Sequence, residues 1–327
     1  MNSIVSSQPF HVSGLTLDRN DMCPACGDSH GTPFLAAPDR FHGRSSIYEL
    51  VSCPLCSMVW LKDPPLPTEM SQHYGEDYDK AIARAGEDRN HWRSRRQTLL
   101  RYKTRGALLD LGCSSGGFLS SIEAPSWNLC GIEMSERAAR TAEAKCGAQV
   151  FVGNILDAPF PPRFFDAITC FHVLEHLYQP KEVLSKVFEW LKPGGIFYLM
   201  VPNIHSAGAR IFRSYWYPLE LPRHLSHFSP TSLGKLGKSV GLTEVSITTH
   251  REVFIEASAR YILAEALHRL GWALLPPAKA KAPSLPWRMA RKAFRLTVLP
   301  ALSVLASLAG DGESIHAIFE KRPQRET

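Results

Sequence analysis

Short apolar runs alternate with longer amphipathic stretches from Gly106 onward. Ala107 to Leu111, interrupted only by Asp110, is the continuous apolar run of a strand buried on both faces. It leads into Gly112-Cys-Ser-Ser-Gly116-Gly117 and an apolar restart at Phe118, which reads as strand, tight loop and helix start. Further strands are predicted at Asn128 to Glu133, Val150 to Val152, Asp166 to Phe171, and Ile196 to Val201 behind a Pro193-Gly-Gly turn. Ser135 caps a helix that runs to Cys146 and stops at Gly147. Leu242 to Thr249 and Ser314 to Lys321 are the last strands, and Glu256 to Leu270 has a helical pattern. Strands and helices in this order predict an α/β fold with a doubly wound parallel sheet.

Residues 1–66 have a different texture. Cys23-Pro-Ala-Cys26 and Cys53-Pro-Leu-Cys56 form two CxxC knuckles with β-like sequence between them. Four thiolates so arranged match a tetrahedral zinc site, so Cys23, Cys26, Cys53 and Cys56 are predicted to hold a structural Zn2+ in a small N-terminal ribbon. Asp63-Pro-Pro-Leu-Pro ends the ribbon, and residues 67–105 read as a polar, helical connector. Its arginines (Arg93, Arg95, Arg96, Arg101, Arg105) read as a solvated face, and Tyr74 and Tyr78, four apart, read as a lid. Residues 106–327 form the main domain, with a helical insertion at about 251–312 before the last strand.

Charge refines this picture. Lys plus Arg number 37 against 31 Asp plus Glu, but the stretch from Ala266 to Gly310 holds seven basic residues and no acid. The excess is local, which argues against a general nucleic-acid surface. Residues 287–309 mix Trp, Met, Phe and Leu with Arg and Lys, a composition suited to peripheral contact with an anionic membrane. The longest apolar run, Leu296 to Ala309, is too short for a membrane span. The N-terminus lacks a secretory pattern, and Cys113, Cys130, Cys146 and Cys170 read as reduced, so a cytoplasmic protein is expected.

Glu133 closes its strand just beyond the glycine turn, where a carboxylate accepts the hydroxyls of a ribose. NAD is disfavoured because the loop lacks the GxGxxG spacing. Asp110-Leu-Gly112-Cys-Ser-Ser-Gly116, Glu133, Phe165-Asp166-Ala-Ile-Thr, His172-Val-Leu-Glu-His176 and Leu191-Lys-Pro-Gly-Gly195, in this order, resemble the class I S-adenosylmethionine-dependent methyltransferases. The branch with ubiquinone-type O-methyltransferases and sugar- or lipid-pathway enzymes is the most similar. The resemblance covers about residues 106–250, with Glu313 to Lys321 similar to the final strand, and implies a seven-stranded sheet whose last strand is antiparallel. It departs at Ser114, where the commoner loop has Gly. It implies that Asp110, Gly112 and Gly116, with Cys113 in the same loop, serve the methionine end of S-adenosyl-L-methionine. Glu133 would serve the ribose and Asn154 with Ile155 the adenine, while His172 would lie near the sulfonium.

The segment from Ile204 to Ser229 is rich in aromatic residues and histidines and leaves the carboxyl end of a strand, where acceptors bind in such sheets. Methyl transfer to a hydroxyl calls for in-line approach, exclusion of water and a base. His224 is the first candidate, from a Pro-x-His-Leu segment that the resemblance includes, and His176 is the second. The function implied is methylation, chiefly on oxygen, of a small-molecule, sugar or lipid-linked acceptor. The alternatives are a non-catalytic interaction protein that keeps the fold and a nucleic-acid methyltransferase. The second is opposed by His-Val-Leu-Glu where such enzymes carry a Pro-Pro-Tyr type signature.

Overall fold

The run around Asp110 becomes β4 (Gly106–Leu111), a central strand of a seven-stranded sheet ordered β10-β11-β8-β7-β4-β5-β6 in the computed structural model. The structure describes residues 22–74, 89–122, 124–252, 254–269, 289 and 312–323. The other strands are β5 (Trp127–Glu133), β6 (Gln149–Val152), β7 (Phe165–Phe171), β8 (Leu191–Pro202), β10 (Thr243–His250) and β11 (Ser314–Glu320). β11 runs antiparallel to both β8 and β10, and the rest are parallel.

Alternation along the strands divides the core into two layers. Leu109 and Leu111 join Phe197, Leu199 and Val201 on the face covered by α4 (Pro180–Trp190) and α6 (Pro230–Ser239). Leu108 turns to the other face with Leu99, Phe118 and Leu119, under α2 (Arg89–Leu100) and α3 (Glu136–Cys146). The predicted caps are present: Ser135 Oγ accepts from Ala138 N, and Gly147 ends α3 at φ 68°. Strand β8 starts at Leu191, earlier than the Pro-Gly-Gly turn suggested. Leu191 already pairs with Phe165, and Gly194 at φ 77° keeps its N–H on Lys321 O, so the chain bends without leaving the sheet.

The arginine-rich helix is not uniformly solvated. Arg95 on α2 is buried, its guanidinium over the rings of Trp92 and Phe171. Aromatic faces and a desolvated side chain replace the solvated face expected there. Arg93, Arg101 and Arg105 are exposed as expected.

A second sheet, ordered β1-β2-β3-β9, is built from β1 (Thr32–Pro38), β2 (Ile47–Ser52), β3 (Val59–Leu61) and a two-residue strand β9 (Ser226–His227). The fourth strand therefore comes from the histidine-rich segment. Leu50, Val59 and Leu61 pack with Ile204, α5 (Ala207–Phe212), Trp216, Leu221 and Leu225, and Met58 and Trp60 join the larger core. Tyr74, which follows the short helix α1 (Pro67–Met70), packs against His176 and does not stand free as a lid; Tyr78 lies outside the described residues. The insertion helix appears as α7 (Phe254–Arg269). Among the described residues no helix is long and apolar enough to cross a membrane. Residues 287–309, apart from Met289, lie outside the described residues.

Two outcomes follow from this core. Trp190, fully buried and edge-on to Phe160, should cost roughly 3–5 kcal/mol on replacement by Ala, read from urea unfolding. Burial raises the Asp110 carboxyl from 3.8 to about 7, although Thr169 donates to it at 2.7 Å. A raised folded value contributes stability below the unfolded value and loses it as pH climbs through the folded one. Asp110→Asn should therefore gain on the wild type between about pH 4 and 7, by on the order of 2–4 kcal/mol, in unfolding curves across that range.

Candidate functional site

The tips of β4, β5, β6 and β7 end level with one another, since Leu111 pairs with both Ile132 and Cys170 and Glu133 pairs with Val152. The loops beyond them therefore share one edge. In the first loop, a Cβ on Gly112 (φ 67°) would lie 2.4 Å from Val173 Cγ2, and one on Gly116 (φ 73°) 2.9 Å from Ala142 Cα of α3. These glycines are required by the packing of the loop on its neighbours. Ser114 adopts φ 48°, the left-handed conformation that the commoner glycine takes at no cost. In that conformation its N–H donates to Glu133 Oε2 at 2.9 Å, while Ser135 N–H donates to Oε1 at 2.9 Å. Each carboxylate oxygen keeps a further lone pair, which is the acceptor pair that the two hydroxyls of a ribose require. Asp110 and Cys113 lie buried beneath the loop, and burial pushes the Cys113 thiol up, leaving it inert. Beyond β6, Asn154 Oδ1 accepts from Leu156 N–H and Ile155 is buried, so this turn is held from within.

The loop after β7 carries the groups able to move a proton. His172 (φ 57°) places Nδ1 3.4 Å from Glu175 Oε1, outside hydrogen-bond geometry. Glu175 is 1% exposed, and neither of its oxygens has a hydrogen-bond partner. A buried polar atom left in this state costs roughly 1–3 kcal/mol, more when charged, so the position asks for a donor. His176 Nδ1 lies 3.2 Å from Arg223 O and 3.3 Å from Tyr74 Oη, and its ring is edge-on to His224 at 4.5 Å. His224 Nδ1 is 2.7 Å from Pro218 O. A carbonyl only accepts, so the ring proton sits on Nδ1 and Nε2 offers a lone pair. Burial first, then neighbouring His176 and His227, hold His224 well below the ordinary histidine range, so it is neutral. Ligand-type atoms of Glu175, His176 and His224 all lie within 4.8 Å of one another, a cluster wider than a direct hydrogen bond. The two predicted histidines are thus together, and Glu175 completes the group.

The four cysteines also converge. Sγ of Cys23 and Cys56 are 3.4 Å apart, and Sγ of Cys26 and Cys53 are 3.5 Å apart. Sulfurs about 2.3 Å from a tetrahedral zinc stand about 3.8 Å from each other, so the set fits that ion. The knuckles match: Gly27 N–H donates to Cys23 O, Ser57 N–H to Cys53 O, and both residues have positive φ. A hydrogen bond from Cys56 holds the Cys23 thiol below the ordinary thiol range.

Sequence reading did not single out Arg223 or Asp39. Both are fully buried and meet only through the fold, and an isolated Arg or Asp carries no local signal of such a partner.

A family model described as a methyltransferase domain matches residues 83–247. The ubiquinone biosynthesis O-methyltransferase of Nitrosomonas europaea is 28% identical over 158 residues, 43% of this chain and 65% of that protein. Its namesake from Pseudomonas fluorescens is 30% identical over 149 residues, 42% of this chain and 64% of that one. The chain thus spans somewhat less than two thirds of these relatives' length. Among solved structures, a chain of the complex between the Haloferax volcanii Trm112 methyltransferase activator and the putative methyltransferase aligns with TM-score 0.50 at 16% identity, covering 76% of this chain and 95% of that one; this shows the fold alone. With the ordered strand tips, the level loops and the matched model, the chain belongs to the methyltransferase-domain family, with a class I S-adenosylmethionine-dependent methyltransferase domain.

Proposed function

We propose that this protein methylates an oxygen of a small-molecule, sugar or lipid-linked acceptor. The observation that carries the reading is the buried carboxylate of Glu175, without a hydrogen-bond partner, beside His176 and His224 and 3.4 Å from His172 on the edge where the nucleoside would lie. S-adenosylmethionine, when bound, supplies an electrophilic methyl group, and Glu133 would hold its ribose. A hydroxyl entering from the side of the histidine-rich segment meets Glu175 as a hydrogen-bond acceptor and an imidazole Nε2 as a base. With its ring proton held on Nδ1 by Pro218 O, His224 presents the Nε2 lone pair to that proton. The printed names of the two bacterial relatives support oxygen as the acceptor atom. The four cysteines are read as a structural zinc site, since both knuckles sit in a small sheet whose core is shared with the rest of the chain.

Calorimetry should show binding of S-adenosylmethionine by the wild type and at least tenfold weaker binding by Glu133→Ala, with unchanged circular dichroism. A screen of hydroxylated acceptors with cofactor labelled at its methyl group should yield O-methyl product. Glu175→Gln and His224→Gln should each slow it by roughly 10²–10⁴-fold with cofactor affinity retained. No cofactor binding would favour an interaction protein instead, and N- or C-methyl product would refute the acceptor atom. Elemental analysis should find about one zinc per chain, and Cys23→Ser should lose it.

A further inference from the structure

Residues 223, 224 and 225 lie between the N-terminal module and the loop after β7, and each faces a different way. Leu225 continues the ladder: Leu61 N–H of β3 donates to Leu225 O at 2.9 Å, and Leu225 N–H donates to Glu175 O at 2.8 Å. One residue therefore connects a strand of the four-cysteine module to the backbone of Glu175. His224 points into the acid–base group. Arg223 sends its side chain the opposite way, into the turn between β1 and β2.

That side chain is fully buried. Its Nη1 lies 3.1 Å from His42 Nδ1, donates to His73 O at 3.2 Å, and stands 3.9 Å from Asp39 Oδ1. The guanidinium carbon lies 4.5 Å over the Phe41 ring, and Nε is 3.6 Å from Glu220. Asp39, also fully buried, accepts from His42 N–H at 3.1 Å, and Arg44 N–H closes the turn on Asp39 O. An arginine is always charged, so its surroundings fix where residue 223 sits. At the other end of the same residue, Arg223 O is the acceptor facing His176 Nδ1. A carbonyl only accepts, so that contact, with the hydroxyl oxygen of Tyr74 as a second acceptor at 3.3 Å, puts the His176 proton on Nδ1 and the ring lone pair on Nε2.

We propose that the turn between β1 and β2 is a positioning device for the acid–base group: Asp39 and His42 hold Arg223, and Arg223 sets the ring proton and orientation of His176 and places His224. The N-terminal module is then a part of the reaction site as well as a metal-held fold. The proposal rests on reading His176 and His224 as the acid–base pair.

The test is nitrogen NMR of the full-length, zinc-loaded protein labelled in its histidines, with His176 and His224 assigned from His176→Gln and His224→Gln spectra. In the wild type both rings should be Nδ1–H tautomers with unprotonated Nε2; an Nε2–H ring at His176 overturns the proposal before any variant is made. In Asp39→Asn and His42→Gln, the His176 tautomer ratio should change severalfold while the affinity for S-adenosylmethionine stays within about twofold. Phe34→Ser, on the exposed side of β1, should change neither. Folded variants with an unchanged His176 ratio overturn the proposal. A wild type that fails to bind S-adenosylmethionine overturns the underlying functional reading and leaves the tautomer result to stand or fall separately.

Discussion

The meeting of Gly112 with Val173 governs the site. No Cβ fits between them, so the loop after β4 and the loop after β7 are pressed together at one point. On one side of that point lies the edge proposed for the cofactor, with Ser114 and Glu133 joined by a hydrogen bond. On the other lie His172, Glu175 and His176. A reaction between a bound cofactor and a second substrate needs the two sets of groups held at fixed separation, to within fractions of an ångström. Two neighbouring parallel strands supply the coarse alignment, and the missing side chain supplies the fine one.

The loop's glycines acquire a different meaning in this light. A glycine-rich turn is usually taken as room for a ligand. Here Gly112 and Gly116 are taken up by Val173 and by α3, and the polar work falls to Ser114 and Glu133. Ser114 accepts a left-handed conformation that costs a non-glycine residue roughly 1 kcal/mol or more, and its amide orients the carboxylate that would face the ribose.

Much of this was legible from the chain because its signals are local. The buried run at Ala107 to Leu111, the Ser135 cap and the Gly147 stop each rest on neighbouring residues, and each reappears in the structure. The chain offers His224 and His176 separately, as first and second candidate base, and only the fold sets their rings edge to face. What could not be read depends on distant partners. Arg95 looked solvated because, although Trp92 stands one turn before it on the same helix, nothing in the sequence brings Phe171 of β7 beside that ring. Arg223 gave no sign of Asp39, since the two meet only when the histidine-rich segment lies against the first hairpin. Strand β8 began early because Phe165 offered a partner to Leu191 that the Pro-Gly-Gly pattern does not reveal.

The two residues of β9 also bear on how the protein is made. Strand β3 leaves the ribosome about half a chain before Ser226 and His227 exist to pair with it. The outer edge of β3 stays bare until the seven-stranded sheet is largely synthesised, and a bare strand edge is a template for pairing between chains. The four-cysteine segment is therefore no detachable cassette: cut away from the rest, it is an open-edged three-stranded sheet awaiting a strand that it does not encode.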